Sequence, residues 1–268
     1  RNPIRIPSSP PMSAPPKDLD AKLRTAYRSA AFGSFAVSLL ARFELRNAVA
    51  SSDAERQRLR AEYKAKLGID ALEVLGVKWS VEGPKSAPGR PRLVVANHRS
   101  AIDIAVLLTQ FDATMLSRGD LADWPVLGRL ARQGGTIFVD RRDAGSGARA
   151  LREIGAALDR GETVCVFPEG TTLAGDEVRP FHAGAFLVAR QHRAEVVPAG
   201  FAYTQGSEWT EPTFGGHLAN VAARPTTRVH LVIGEGRPVE GRADKIAKAM
   251  RDEVQALVHV ARRRLDGT

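Results

Sequence analysis

Asn97-His98-Arg99-Ser100-Ala101-Ile102-Asp103 follows the apolar run Arg-Leu-Val-Val-Ala and sets a histidine five positions before an aspartate. A carboxylate beside an imidazole fixes its tautomer and stabilises its protonated form. A histidine so held can take a proton from an attacking hydroxyl. Ser100 and Asp103 also fit a Ser-x-x-Asp capping box, which accounts for both through backbone hydrogen bonding at a helix start. That alternative leaves His98, in the loop before the cap, without a role. Two further apolar runs end in polar residues: TIFVD in Asp140-Arg141 and TVCVFP in Glu169-Gly170. In an open α/β sheet the carboxyl ends of the strands form the ligand crevice. The three segments therefore predict a histidine, an arginine and a glutamate around one pocket. For Glu169 the plainer reading is a strand-end carboxylate ion-paired to a neighbour.

Other chemistries find little support. The chain has no Gly-x-Ser-x-Gly elbow, no His-Glu-x-x-His pair and no P-loop. Gly145-Ser-Gly147-Ala-Arg-Ala150 imitates a dinucleotide turn, which makes a nicotinamide-dependent oxidoreductase one alternative. Four residues separate Asp140 from Gly145, however, and the tight turn that such a site needs is lost. The single cysteine, Cys165, sits in TVCVF and excludes a disulfide framework or a cysteine-based zinc site. It reads as a core residue in a reducing compartment, and neither a metal site nor a resident cofactor is expected.

The elements that must position these residues follow from periodicity. Residues 1–18 are rich in proline and serine and read as a disordered leader. Over 19–72 the pattern is helical, and Phe32, Phe35, Ala36, Leu39, Leu40 and Phe43 share one face. The uncharged run Ser29–Ala41 is shorter than the ~20 residues of a spanning helix. This amphipathic region either lies in a membrane interface, with Arg28, Arg42 and Arg46 toward lipid phosphates, or packs on the domain. From residue 73 to 268, strands alternate with helices of 10–15 residues. The fold class expected is α/β, a mainly parallel mixed sheet flanked by helices. Residues 205–227 show no clear period and read as a long loop near the substrate.

Of 268 residues, 39 are Lys or Arg and 30 are Asp or Glu, a net charge of +9. Such a surface attracts polyanions. Aromatic residues make up only 6%, with no basic stretch interleaved among them, so single-stranded nucleic acid is not expected as a partner.

Taken together, these segments resemble the glycerolipid acyltransferases of the 1-acylglycerol-3-phosphate acyltransferase (PlsC-type) family. NHRSAID matches its NHxxxxD block through Asn97, His98 and Asp103, and GTIFVDR its second block through Gly135–Arg141. FPEGT matches the third through Phe167–Thr171, and VVPAGF is similar to the fourth around Pro198. The blocks occur in the family's order over about residues 75–240. The resemblance implies transfer of a fatty acyl group from acyl-CoA or acyl-carrier protein to the free hydroxyl of a lysolipid. On that basis His98 is the general base, Asp103 orients it, and the thiol departs without an acyl-enzyme. Asn97, Arg141, Glu169, Gly170, Thr171 and Thr172 are then implied on the substrate side, with Arg141, Glu169 and Gly170 at the acceptor headgroup. Many phosphatidate-forming members carry arginine where this chain has Thr172, and Phe-Lys where it has Phe181-His182. FPEGTT is similar to the lyso-ornithine-lipid branch. The enzyme would work as a peripheral or monotopic protein on the cytoplasmic face of the cell membrane, against an anionic surface. A non-enzymatic lipid-binding module is the remaining alternative.

Overall fold

The computed structural model describes residues 20–84, 90–140, 143 and 145–267. The expected leader and Arg141 lie outside them. Strand β2 (Arg92–Ala96) is buried along its whole length, as a strand covered on both faces must be. Its period of two sends Leu93 and Val95 to one apolar layer and Val94 and Ala96 to the other. The remaining strands are β1 (Val77–Glu82), β3 (Ala113–Arg118), β4 (Ile137–Val139), β5 (Thr163–Val166), β6 (Glu195–Tyr203), β7 (Thr227–Ile233) and β8 (Arg237–Pro238). They form one sheet in the order β1-β7-β6-β2-β5-β3-β4, with β8 also on β6. Pairing is parallel except for β6 with β7 and with β8. This is the mainly parallel mixed sheet read from the alternation of elements.

Register brings the polar strand ends together. Val95 pairs with Val166 of β5, and Ala96 with Ala199 of β6. The segments after β2 and β5 therefore leave the sheet at the same height, beside the last residues of β6.

Helices cover both faces. Helix α1 (Ala21–Val49), α2 (Asp53–Val74), α3 (Ile102–Gln110), α4 (Leu127–Gln133) and α7 (Phe214–Ala223) gather on the side of the Val94 layer. Helices α5 (Ser146–Asp159), α6 (Gly184–Gln191) and α8 (Ala243–Asp266) cover the other. Gly68 of α2 allows close approach to α3: a Cβ there would lie 2.5 Å from the Ala105 carbonyl oxygen.

The structure decides one alternative the sequence left open and overturns a loop expectation. The stripe on α1 packs inward: Ala36, Leu39 and Leu40 are buried with Leu130 of α4, and Phe43 with Leu59. Nor does Arg28 face lipid. Arg24 Nε donates to the Ala223 carbonyl at 2.8 Å, and Arg28 donates to those of Ala222, Arg224 and Pro225 at 3.1, 2.6 and 3.2 Å. Two arginines thus satisfy the exposed carbonyls at the C-terminus of α7, where cations are favoured. Arg46 is exposed but paired with Glu62 at 2.9 Å, and Arg42 is exposed as well.

The overturned expectation concerns α7 itself, in the segment expected to be a loop. Its sequence, FGGHLANVAA, carries two glycines and hides the helix from propensity. Capping from outside compensates. Thr213 Oγ1 accepts from Gly216 N at 3.1 Å at one end, and the α1 arginines hold the other.

Candidate active site

Beyond β2 the chain runs without regular structure through Asn97–Ser100 before α3 begins. Asn97 is fully buried and both polar atoms of its side chain serve β6. Its Nδ2 donates to the Phe201 carbonyl at 3.0 Å, and Phe201 N donates to its Oδ1 at 2.8 Å. Asn97 was expected on the substrate side. Instead it staples the loop to the neighbouring strand.

The Asp103 carboxylate lies under His98 and is fully buried. Its Oδ2 is 2.7 Å from His98 Nδ1 and accepts from Arg99 N at 2.7 Å and Ser100 N at 2.9 Å. Its Oδ1 accepts from the Tyr203 hydroxyl at 2.5 Å. Four donors converge on one group, which suits an acceptor-only carboxylate. The same oxygen thus meets the imidazole and the Arg99 and Ser100 N–H groups, whereas the N-cap of α3 is Ala101 and the full Ser100–Asp103 capping box does not form. With Nδ1–H directed at Asp103, the lone pair of the imidazole is on Nε2, which has no partner among the described residues. The ring stacks on Phe167, with centroids 3.9 Å apart and planes 8° from parallel. It is 17% exposed, whereas Asp103 is sealed.

Tyr203 ends β6, and no sequence reading had singled it out. Burial pushes its hydroxyl well above the ordinary tyrosine range, and the Asp103 charge pushes it further, so it stays a donor. Removing it leaves Asp103 Oδ1 buried without a partner. Tyr203→Phe is expected to cost about 1–3 kcal/mol of stability and to lower kcat with little change in KM. Chemical denaturation and steady-state kinetics check this; an unaltered kcat would mean that Asp103 needs no help from β6.

The backbone of His98 is held as firmly as its ring. Its N–H donates to Glu169 Oε1 at 2.9 Å, and its carbonyl accepts from Arg99 and from Leu173 N at 2.7 and 3.0 Å. Glu169 Oε1 also accepts from Arg99 at 2.9 Å, and its Oε2 from Arg179 N at 3.0 Å. The side chain is 0% exposed. The ion-paired reading of Glu169 therefore describes its geometry, and it supports the histidine loop from beneath. Arg99, a residue inside the motif that sequence reasoning passed over, binds two more carbonyls, those of Gly175 and Glu177, at 2.5 and 2.7 Å.

Gly170, Thr171 and Thr172 follow on the open side. Gly170 adopts φ +72°, and a Cβ there would approach His182 Nε2 to 3.1 Å, so both conformation and space favour glycine. Thr171 is exposed and Thr172 half-buried. At the dinucleotide-like turn, Gly145 N donates to Asp143 Oδ1 at 2.8 Å.

Next to the histidine loop lies an apolar cleft, open to solvent. It begins at Ala101 and Ile102 and passes between α2, α3, β3 and α4, with Phe32 of α1 and Phe214 and Leu218 of α7 at its sides. Of its lining, Lys64, Ser117 and Thr136 alone carry polar side chains, and Lys64 is ion-paired with Asp112. No group of three or more metal-ligating side chains occurs among the described residues.

A family model described as Acyltransferase matches residues 78–202. A lyso-ornithine lipid O-acyltransferase of Pseudomonas aeruginosa is 30% identical over 233 residues, covering 82% of this chain and 88% of that protein. A 1-acyl-sn-glycerol-3-phosphate acyltransferase of Neisseria gonorrhoeae is 32% identical over 139 residues, 51% of this chain and 54% of that one. The crystal structure of the 1-acyl-sn-glycerophosphate (LPA) acyltransferase PlsC from Thermotoga maritima shares the fold. Its TM-score is 0.70 over 89% of this chain and 96% of that one, at 22% identity.

Proposed function

Because the chain belongs to the acyltransferase family, we propose that it acylates the free hydroxyl of a lysolipid, with acyl-CoA or acyl-carrier protein as donor. What carries this reading is the His98–Asp103 pair, 2.7 Å apart, on a loop whose next residues, Ala101 and Ile102, line an apolar cleft. His98 Nε2 takes the proton of the acceptor hydroxyl as its oxygen attacks the thioester carbonyl. The tetrahedral intermediate then collapses, the C–S bond breaks, and the imidazolium returns the proton to the departing thiolate. Asp103 stabilises the imidazolium between the two steps. The cleft takes a fatty chain, since burying methylenes there gains about 0.8 kcal/mol for each. We assign Gly170, Thr171 and Thr172 to the acceptor headgroup, and Arg141 on its motif alone, while Asn97 and Glu169 act on it only through the loop they hold.

Lysophosphatidate is one acceptor. Lyso-ornithine lipid is the second, and one observation favours it: the match to the Pseudomonas protein runs through 82% of the chain, against 51% for the Neisseria one. Thr172 and His182, where a phosphate site would carry fixed cations, agree with it.

The enzyme meets these lipids at a membrane surface, on the cytoplasmic face in this reading. No helix among the described residues is long and apolar enough to cross a bilayer. Contact is through the outward side of α1, where Val37, Leu45 and Val49 are exposed, and through exposed Trp124. A thiol-release assay with acyl-CoA and acyl-carrier protein across a panel of lysolipids tests the proposal. Release should depend on a lysolipid. If no member of the panel stimulates it, the reading fails.

A further inference from the structure

A second buried chain of hydrogen bonds stands behind the proposed base. Ser100 Oγ lies 2.8 Å from His217 Nε2, and Ala101 N lies 3.3 Å from the same nitrogen. On the other side of the ring, His217 Nδ1 is 3.3 Å from Glu211 Oε2. Asn220 steadies that carboxylate through Oε1 at 2.5 Å. Trp209 stacks on the imidazole at 5.1 Å and 8°, and its backbone N–H donates to the Arg99 carbonyl at 2.7 Å. Ser100 and His217 are both fully buried.

Serine, histidine and a carboxylate in a row suggest a nucleophile, but the details point elsewhere. Ser100 Oγ is sealed from the cleft and already accepts from Ile102 N at 3.2 Å. A thioester carbonyl has no path to it in this conformation. The donors also assign the tautomer. Ala101 N–H and the Ser100 hydroxyl both aim at Nε2, so that nitrogen carries the lone pair and Nδ1–H faces Glu211. Burial, the largest influence, draws the His217 pKa down, while Glu211 opposes it.

We propose that neutral His217 is a positioning residue, whose Nε2 fixes the Ser100–Ala101 turn and thereby holds Asp103 beneath His98. Ser100 is the shared point: its N–H goes to Asp103 and its hydroxyl to His217. The same helix, α7, presents Phe214 and Leu218 to the apolar cleft. A chain lying in the cleft packs against α7 and so presses His217 onto the turn. The inference rests on the reading of His98 as base, which the lysolipid panel with the unaltered protein tests separately.

The test is a comparison of His217→Leu with His217→Gln in thiol release. Leucine keeps the bulk but offers no acceptor; the glutamine carbonyl can replace Nε2. His217→Leu should lower kcat roughly 10–100-fold, the scale of a small misplacement of reacting groups, with KM for donor and acceptor little changed. His217→Gln should recover most of that loss. Equal loss in both folded variants, or none in either, overturns the proposal. If His217→Leu does not fold, Ser100→Ala takes its place, and an unaltered kcat there overturns it too. Intact-mass analysis during turnover should show no acyl adduct; one on Ser100 would make it a nucleophile and sink the positioning role.

Discussion

His98→Ala should lower kcat by about 10²–10⁴-fold, the loss typical of a missing general base, in a protein that still folds. The structure separates the two effects. The ring is partly exposed and contributes one stacking contact and one hydrogen bond. The backbone N–H and carbonyl, which hold the loop, survive the substitution. Asp103 keeps three of its four donors. Asp103→Asn is a different experiment. An amide there would direct either its oxygen or its NH₂ toward the two backbone N–H groups and the imidazole, so stability and turnover should fall together. Single-turnover rates alongside chemical denaturation distinguish them. Near-normal turnover by folded His98→Ala would refute the mechanism.

Arg99→Met should be among the most destabilising single changes in the chain. Its guanidinium and the Glu169 carboxylate are 2% and 0% exposed, and the pair is matched in charge inside the protein. Breaking such a pair from one side strands a buried charge, at about 3–5 kcal/mol. Three carbonyls, those of His98, Gly175 and Glu177, lose a donor as well. Lysine is a poor substitute, since one ammonium cannot reach three directions at once. The double variant Arg99→Met/Glu169→Gln should be less destabilised than the sum of the single changes, because no charge is left stranded. Denaturant midpoints for the four proteins measure that coupling. A cost below roughly 1 kcal/mol, the scale of an exposed pair, would mean that the loop is held some other way.

The sheet and the His98–Asp103 pair were legible because both signals are local. Alternation or an apolar run marks a strand, and the residue after it must sit at the sheet's end. That logic found His98 and Glu169. Applied once more to EVVPAGFAY it would have found Tyr203, which stands at the end of β6 as the others do at theirs. The stapling by Asn97 and the bracing by Arg99 carried no comparable signal, because they depend on Phe201, Gly175 and Glu177, distant in sequence. The α1 stripe shows a different limit. Period 3.6 tells which face of a helix is covered, and lipid and protein cover it equally well on paper. Helix α7 was hidden for a third reason: its glycines weaken it locally, and its C-terminal caps come from the other end of the chain.

Those caps set a timetable. The carbonyls that Arg24 and Arg28 bind lie 194–199 residues further along the chain. Synthesis at about 5–20 residues per second puts roughly 10–40 s between the arginines leaving the ribosome and their partners following. Helix α2 arrives at once and covers Phe43. Leu130, which closes over Leu39 and Leu40, comes later, and the end of α7 later still. In the growing chain the apolar face of α1 is therefore partly bare until the finished protein claims it.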